Sequence, residues 1–409
     1  MPITDYPEIV KRFLVHFKDC FTEPKFKHFA EYITGLIICM RYNISWMNDQ
    51  IVNHRDQSVK NRFLTESNWS EVKVNKKRIE LIQRKVNGLN PNKCYLLIDD
   101  VILHHDASKK MDEVAKFYDY SSGKYTIAHI IVTCQLITPV GHFPIGFKLY
   151  LKRDKKDAEY TSKPNLAKEL IQAAIDHNLP FRTVVFDSWY LSRHLSQYIE
   201  GMSKSWVSRA KSNRIVYIEG KQISLINYVK SIPKEEFATT EVNGKTHTYF
   251  SKAVKMSNQG KVRIVVFIDK EEESGFKILV THELTWKPRS IIRAYAHRWA
   301  IDAFYRDAKQ NLGLEDYMLR DLKGIKRHWY LVFVAFIFLQ LGSMDEGLVR
   351  LFKNNAVSIG NKCRQSVCDT VRSFILWTIK QSALGRTTDE ILQIIYLSKS
   401  KLRFQYEGS

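Results

Sequence analysis

Three aspartates lie at positions where a carboxylate could take part in catalysis. Asp99 and Asp187 end the apolar segments YLLIDD and VVFD, and Asp302 falls within a late helical segment. Three carboxylates gathered at one edge of a sheet raise one another's pKa and cannot all remain ionised without a cation. Hard divalent ions prefer oxygen ligands, and two of them could activate a water or a 3′-hydroxyl for attack on a phosphodiester. The pattern indicates metal-dependent phosphodiester chemistry, against the alternative that each isolated Asp is a turn or cap residue.

The segment YAHRWAIDAFYRDAK places bases and a tyrosine around the third acid. On an ideal helix Tyr295, Arg298, Asp302, Arg306 and Lys309 share a stripe about 80° wide, opposite an apolar face. Ion pairs at i,i+4 on a solvated helix would explain these charges equally well. The co-occurrence with two earlier acid-tipped strands favours a functional face.

The charge balance favours a polyanionic partner. The chain has 63 Lys and Arg against 43 Asp and Glu among 409 residues, a formal net charge of +20. Such a field attracts nucleic acid, because neutralising phosphates releases counterions. The alternative on charge alone is a basic enzyme with another substrate. With 44% hydrophobic and 12% aromatic residues, the chain is predicted to be folded and to form several structural units.

The hydrophobic pattern divides the chain into five regions. Apolar spacings of three and four predict helices up to residue 90, where Asn90 and Pro91 break the pattern. Three strands, a helix and a fourth strand follow, the order of a mixed α/β sheet. We predict a helical N-terminal DNA-binding region at 1–90, the first part of a catalytic core at 91–204, a β-rich insertion at 205–282, the second part of the core at 283–345 and a helical C-terminal region at 346–409.

The second part of the core is predicted to begin with one long helix, with Pro288 near its start and Gly313 near its end. The apolar run from Trp329 to Leu339 is shorter than the roughly 18 residues of a membrane helix, and is predicted to be a buried core helix. The six cysteines form no CxxC pair and are predicted to be free thiols in a reducing cytoplasm. We therefore expect a cytoplasmic protein with no membrane partner.

Taken together, these motifs resemble the DDE transposases of bacterial and archaeal insertion sequences. The acids in LLIDDV and VVFDSWY, the β-rich insertion, and a Tyr, Arg, acid and Lys at fixed spacings look like the Y-R-E-K signature of the IS-four group. The signature is met by Tyr295, Arg298, Asp302 and Lys309, and the family's third acid is usually Glu. The resemblance covers about residues 94 to 340, and it implies a prokaryotic, nucleoid-associated protein.

The resemblance implies a ribonuclease-H-like core and two divalent ions, Mg²⁺ or Mn²⁺, held by Asp99, Asp187 and Asp302. It also implies cleavage at the ends of a transposon in double-stranded DNA, strand transfer into target DNA, and a homodimer that synapses two ends. Tyr295, Arg298 and Lys309 would grip the transposon end, and Arg306 would face DNA beside them. These roles suit an arginine fork and a lysine point charge.

Several alternatives remain open at this stage. Asp99 and Asp100 point to opposite faces of a strand, and Asp99 is favoured because it aligns with the family motif. Trp189 could stack on a base or cap the sheet core. The adjacent His104, His105 and Asp106 are predicted to form a solvated loop rather than a metal site. The other functions to weigh are a catalytically decayed DNA-binding descendant and a structure-selective nuclease on the same fold.

Overall fold

The structure, a computed structural model, describes residues 2–52, 56–108, 110–153, 157, 160–268, 275–343 and 358–400. The helices of this part of the chain are α1 (Glu8–Leu14), α2 (Glu23–Ile38), α3 (Ile44–Asp49), α4 (Gln57–Thr65), α5 (Glu71–Val86), α6 (Lys163–Asp176), α7 (Arg193–Gly201), α8 (Leu225–Lys230), α9 (Pro288–Ala296), α10 (Trp299–Leu312), α11 (Leu322–Leu341), α12 (Ile359–Ala383) and α13 (Thr388–Ser400). The strands are β1 (Tyr95–His104), β2 (Ala115–Asp119), β3 (Lys124–Thr138), β4 (Gly141–Tyr150), β5 (Thr183–Phe186), β6 (Ser205–Arg209), β7 (Ile215–Ile218), β8 (Lys221–Ser224), β9 (Ala238–Val242), β10 (Lys245–Met256), β11 (Gly260–Ile268) and β12 (Phe276–Thr281).

The chain forms two compact units. The first comprises Met1–Ile82, Leu103–Ala128 and Tyr305–Ser409, and the second comprises Gln83–Ile102 and His129–Phe304. The predicted boundary between residues 345 and 346 and the end of the C-terminal region lie outside the described residues. The five predicted regions therefore stay a prediction.

The second unit is built on a mixed sheet. Its strand order is β3-β1-β5-β6-β12-β11-β10-β7-β8, with β4 on β3 and β9 on β10. The strands β1, β5 and β6 run parallel, whereas the β3–β4 pair and the strands from β12 to β10 are antiparallel. The helices α6 and α7 connect the parallel strands, as expected for crossover connections. The mixed α/β sheet predicted from the sequence is confirmed.

The β-rich segment is organised by tight turns. Asn243 and Gly244 both have positive φ, 51° and 73°, and form the two-residue connection between β9 and β10. Two consecutive positive φ angles match the right-handed twist of antiparallel strands, and only Gly, Asn and Asp adopt them readily. The hairpin predicted from Asn-Gly is thus present. At the start of the predicted insertion, β6 pairs in parallel with β5 and so extends the core sheet.

The first unit is mainly helical. Its central helix, α11, buries the run from Trp329 to Leu339 except the half-buried Tyr330, as predicted from its apolar sequence. Phe13 and Phe17 pack against Phe338 with tilted rings whose centroids are 5.3 and 5.6 Å from its own. Among the described helices, none is long and apolar enough to cross a membrane. The six cysteines all lie in described parts of the chain and are free thiols, as predicted.

Candidate active site

Two of the three predicted acids are adjacent by strand register. The parallel strands β1 and β5 are paired up to Ile98 and Phe186; Asp99 is the next residue of β1, and Asp187 is the first residue after β5. The end of the pairing thus brings the two acids near each other, and the charge of Asp187 contributes to raising the pKa of Asp99. The expectation that Asp99 ends its strand is wrong, because β1 continues to His104. What stops just before Asp99 is the parallel pairing of β1 with β5.

The third acid is linked to the first through an arginine. Arg298 Nη2 donates to Asp99 Oδ2 at 2.9 Å, and Arg298 Nη1 donates to Asp302 Oδ2 at 3.4 Å. One guanidinium group therefore joins the predicted metal ligands of β1 and α10. Arg298 Nε is buried and has no hydrogen-bond acceptor among the described residues. This nitrogen is therefore a buried hydrogen-bond donor, on the same side chain that bonds to Asp99 and Asp302.

The helix that carries the signature is interrupted, contrary to prediction. The helix α9 ends at Ala296 and α10 begins at Trp299, with a tight turn in which Arg298 N bonds to Tyr295 O at 2.9 Å. The segment contains no Gly or Pro that signals a break, which is why its apolar spacing predicts one helix. Because of the turn, Tyr295 and Asp302 lie on different helices, so the single stripe through all five residues does not exist.

Tyr295 packs against a hydrophobic core cluster of the second unit. Its ring packs on the cluster of the second unit that includes Val207, Leu279 and Ile291. Burial raises the pKa of its phenol well above the ordinary value. The signature tyrosine therefore remains a neutral hydroxyl at any physiological pH, held by its packing.

Burial disfavours the ionised form of the acids of the site, and Arg298 compensates for it only in part. Burial raises the pKa of Asp99 to about 7, and the charges of Asp100 and Asp187 add to this although Arg298 opposes it. Burial likewise raises the pKa of Asp302, again opposed by Arg298 and reinforced by Asp187. The same carboxylates raise the pKa of Arg298, although its burial acts in the opposite direction. Because these carboxyl pKa values stay raised even with Arg298 in place, an additional positive charge would stabilise the ionised carboxylates.

Asp100 belongs to a different network. Tyr190 donates its hydroxyl to Asp100 Oδ1 at 2.7 Å, and Lys163 Nζ donates to Asp100 Oδ2 at 2.7 Å. Alternation along β1 explains the separation, since successive side chains point to opposite faces. Of the two adjacent acids, Asp99 is the one that shares a partner with Asp302.

The other predicted DNA-binding residues lie at the surface. Trp189 is 59% exposed with Lys211 Nζ 3.6 Å from its ring centroid, so it does not cap the sheet core. Arg306 is exposed and pairs with Asp307 at 3.6 Å. In the first unit, Lys309 bonds to Glu315 at 2.6 Å.

Lys309 also lines a large cavity of the first unit. The cavity has a volume of about 1090 Å³, and the bases Arg41, Lys110 and Arg320 lie in its wall with Lys309. The sequence predicted Lys309 as a DNA contact but gave no sign that residues near Arg41 would join it. Only the fold of the first unit brings these distant segments together.

The loop predicted at His104, His105 and Asp106 begins one residue later than expected, because His104 is the last residue of β1, and the His105 ring packs against Tyr317. His104 Nδ1 is 3.0 Å from Thr126 Oγ1, and Asp106 accepts bonds from Thr126 Oγ1 and Ile127 N, both at 2.8 Å. These bonds fix the end of β1 on β3. Sequence reasoning did not anticipate Tyr190 and Lys163 as partners of Asp100, although Tyr190 stands three residues after Asp187 in VVFDSWY.

The donor set fits a hard divalent cation in its chemistry. It consists of carboxylate oxygens whose pKa values are raised by burial and by each other, the condition that a bound cation relieves. Among the described residues no three His, Cys, Asp or Glu side chains stand close enough to hold a metal as they are placed. Arg298 bridges Asp99 and Asp302, so a cation between them requires Arg298 to release one carboxylate.

A mixed sheet with acids where the parallel pairing of two strands stops, and a third acid on a later helix, is the arrangement expected of DDE nucleases and transposases. The chain matches the family described as DDE superfamily endonuclease over residues 16–234, more than half of its length, and belongs to that family. It also matches the family described as archaeal putative transposase ISC1217 over residues 126–348. The prediction of a DDE transposase enzyme is confirmed. Members of the superfamily generally use divalent metal ions.

Individual relatives are distant. The chain is 22% identical over 290 residues to the probable transposase for insertion sequence element IS701 from Microchaete diplosiphon, covering 68% of this chain and 72% of the relative. A structure of the piggyBac transposase synaptic complex with hairpin DNA is 12% identical with a TM-score of 0.47, covering 96% of this chain and 81% of that one. Endonuclease V from Bacillus subtilis is 11% identical with a TM-score of 0.25, covering 59% and 95%.

Proposed function

We propose that this transposase cleaves double-stranded DNA at the ends of its element and transfers the ends into target DNA, using Asp99, Asp187 and Asp302. The observation that carries the proposal is the bridge from Arg298 to Asp99 and Asp302, with Asp187 beside Asp99 by strand register. The finer points of the proposal are two bound ions, Mg²⁺ or Mn²⁺, and a homodimer that joins two ends.

Bound divalent ions would supply the positive charge that stabilises the attacking and leaving oxygens of the phosphodiester. The chain's own part begins with Asp99, which stands within β1, and Asp187, which stands in the turn directly after β5. Asp302 stands in the first turn of α10, where the helix dipole favours a carboxylate. The three ligands would thus be positioned by β1, by the turn after β5 and by the first turn of α10.

Arg298 would bind the scissile phosphate once it releases a carboxylate. Its Nε already lacks an acceptor, and a planar guanidinium can form two parallel bonds to phosphate oxygens. Trp189, exposed beside Lys211, offers a flat surface and a charge for an unpaired base. Lys309 and Arg306 would contact the DNA backbone, whereas Tyr295 would contribute its hydroxyl edge and its packing.

The test is a cleavage assay on the full chain with DNA that carries the inverted repeats flanking its gene, in Mg²⁺ or Mn²⁺. We expect nicks at the repeat boundary, and a loss of about 10³-fold or more in the Asp99→Asn, Asp187→Asn and Asp302→Asn variants. Asp307→Asn is the matched control, because Asp307 lies on the same helix and pairs with Arg306 instead. Cleavage that survives Asp302→Asn would overturn the assignment.

The same assay separates the other two functions. Binding of the repeats without any cleavage, in either metal, would identify a catalytically decayed descendant; Asp302, shorter by one methylene than the family's usual Glu, motivates this alternative. Equal cleavage of unrelated branched DNA would identify a structure-selective nuclease. An Asp302→Glu variant that cleaves faster than the natural protein would favour the catalytically decayed descendant.

A further inference from the structure

We propose that Asp100 is a positioning residue that fixes the turn carrying Asp187 and Trp189, by accepting a hydrogen bond from Tyr190. The inference rests on the proposed function of Asp187, and it assigns a role to the one acid of the LLIDD segment that the metal site leaves out.

The turn after β5 is closed on itself. Tyr190 N donates to Asp187 O at 3.0 Å, so residues 187 to 190 reverse the chain immediately after the parallel strand. Within four residues this turn presents a carboxylate from Asp187 and an exposed ring from Trp189. Any rotation of the turn would move both groups together.

Tyr190 is a residue of the turn whose side chain is buried. Its side chain is 1% exposed, and its hydroxyl bonds to Asp100 Oδ1 at 2.7 Å. Asp100 lies on β1, next to Asp99, so the turn of β5 is tied to the strand that carries the first acid. A buried bond from a hydroxyl to a carboxylate is short, directional and costly to leave unmade.

The charge of Asp100 is balanced separately. Lys163 Nζ bonds to its other oxygen at 2.7 Å and lies 5.4 Å from the ring centroid of Tyr150. Lys163 is the first residue of α6, so this ion pair could hold a helix to the sheet without affecting the turn. The two oxygens of Asp100 therefore serve two partners, and variants can separate them.

A second contact supports the turn from the other side. Ser208 Oγ on β6 lies 3.4 Å from Asp187 O. With Asp100 on β1 and Ser208 on β6, the turn is held by both neighbours of β5. The contact from β6 is long, so the bond from Tyr190 to Asp100 is the stronger of the two.

The variants follow from these contacts. Tyr190→Phe removes one oxygen and keeps the buried ring. Asp100→Leu removes both acceptors, whereas Asp100→Asn keeps an oxygen for Tyr190 and gives up the charge that Lys163 needs. Lys163→Gln breaks the ion pair alone. The matched control is Tyr198→Phe, which removes a tyrosine hydroxyl bonded to Gln172 Oε1 at 2.9 Å in the same unit, away from the turn.

The first readout does not depend on cleavage. With 5-fluorotryptophan incorporated, the chain gives signals from its 8 tryptophans, and the Trp189 signal is the one lost in Trp189→Phe. We expect it to shift or broaden in Tyr190→Phe and Asp100→Leu, and to stay in place in Asp100→Asn, Lys163→Gln and Tyr198→Phe. An unshifted Trp189 signal in Tyr190→Phe overturns the inference, whether or not the protein cleaves DNA.

The second readout is the single-turnover cleavage rate and the dissociation constant for end DNA. We expect Tyr190→Phe to lower the rate about tenfold while changing the dissociation constant less than about twofold, because a misplaced ligand affects the transition state more than binding. The Asp100→Asn variant should keep most of the cleavage rate of the natural protein, because it still has an oxygen that accepts from Tyr190. If Asp187→Asn cleaves normally, the proposed function fails; if it is inactive and Tyr190→Phe cleaves at the natural rate, only the positioning role fails.

Discussion

Arg298 lies 2.9 Å from Asp99 through one nitrogen of a guanidinium group whose other nitrogen reaches Asp302 at 3.4 Å. The arginine thus occupies the place of a cation between two acids with raised pKa values. A positive side chain in this position stabilises the acids but competes with any divalent ion that binds them. Metal binding and release of Arg298 are therefore expected to be linked.

Replacing this arginine should strengthen metal binding while weakening catalysis. We expect Arg298→Gln to bind Mn²⁺ more tightly, by about tenfold, because a competing charge is removed at close range. Titration calorimetry at fixed pH measures the affinity. Arg306→Gln, which removes an exposed arginine paired with Asp307, should leave it unchanged. Weaker Mn²⁺ binding in Arg298→Gln than in the natural protein would contradict the competition.

A buried histidine should make the stability of the first unit depend on pH. His328 Nε2 donates to Gly313 O at 2.9 Å, because a carbonyl oxygen can only accept, and in the neutral ring Nδ1 accepts from Tyr32 Oη at 2.8 Å. Burial lowers the pKa of His328 to about 4. Because the folded pKa lies below the unfolded one, stability is complete above about pH 6.5 and falls as the pH drops towards 4, by up to about 3 kcal/mol.

Unfolding in urea between these pH values measures the effect. His328→Gln should flatten the pH dependence over this window, even though it lowers stability overall. His104→Gln is the control, because the His104 side chain is 40% exposed, and it should preserve the slope. A slope that is the same in the natural protein and in His328→Gln would exclude His328 as its origin.

Arg327, a buried arginine, should contribute strongly to the stability of the first unit. Arg327 bonds to the carbonyl oxygens of Leu64, Ser67 and Trp69 at 2.7 to 2.9 Å and to Glu71 at 2.5 Å. Arg327→Met should lower the free energy of unfolding by about 3 to 5 kcal/mol, since these buried acceptors lose their donor.

Thermal unfolding followed by circular dichroism measures this loss. The control Arg320→Met changes an exposed arginine on the segment before α11 and should stay within about 0.5 kcal/mol. Equal stability of the two variants would mean that the carbonyl groups find other donors.

A glycine at the end of α10 should not tolerate a side chain. Gly313 has φ of +65°, and a Cβ there would lie 2.3 Å from Tyr42 Cγ. Gly313→Ala should therefore cost about 2 to 4 kcal/mol, from backbone strain and from displacement of the Tyr42 ring. Gly385→Ala is matched in backbone, with φ of +80° and no atom within 4 Å, and should cost only about 1 kcal/mol. Similar losses in both variants, compared by thermal unfolding, would show that the ring moves away freely.

Some of the site follows from local sequence alone. Apolar runs that lead into Asp99 and Asp187 predict two strands, although β1 continues past Asp99 to His104, and the spacing of Arg298, Asp302 and Lys309 resembles the family's signature. Asn243 and Gly244 predict their hairpin, because a two-residue turn of that kind needs residues that accept positive φ. The strand alternation of β1 also implies that Asp99 and Asp100 face opposite ways. These are properties of residues close together in the chain, where spacing and backbone preference are sufficient.

Tertiary structure decided which partners these residues meet. The break between α9 and α10 has no Gly or Pro to announce it, and it moves Tyr295 into a core while Arg298 and Asp302 stay at the acids. The bonds from Arg298 to Asp99 and from Tyr190 to Asp100 join residues far apart in sequence. Such contacts depend on sheet register and on how buried charges are compensated. Both result from packing of the whole unit, and no local pattern encodes them.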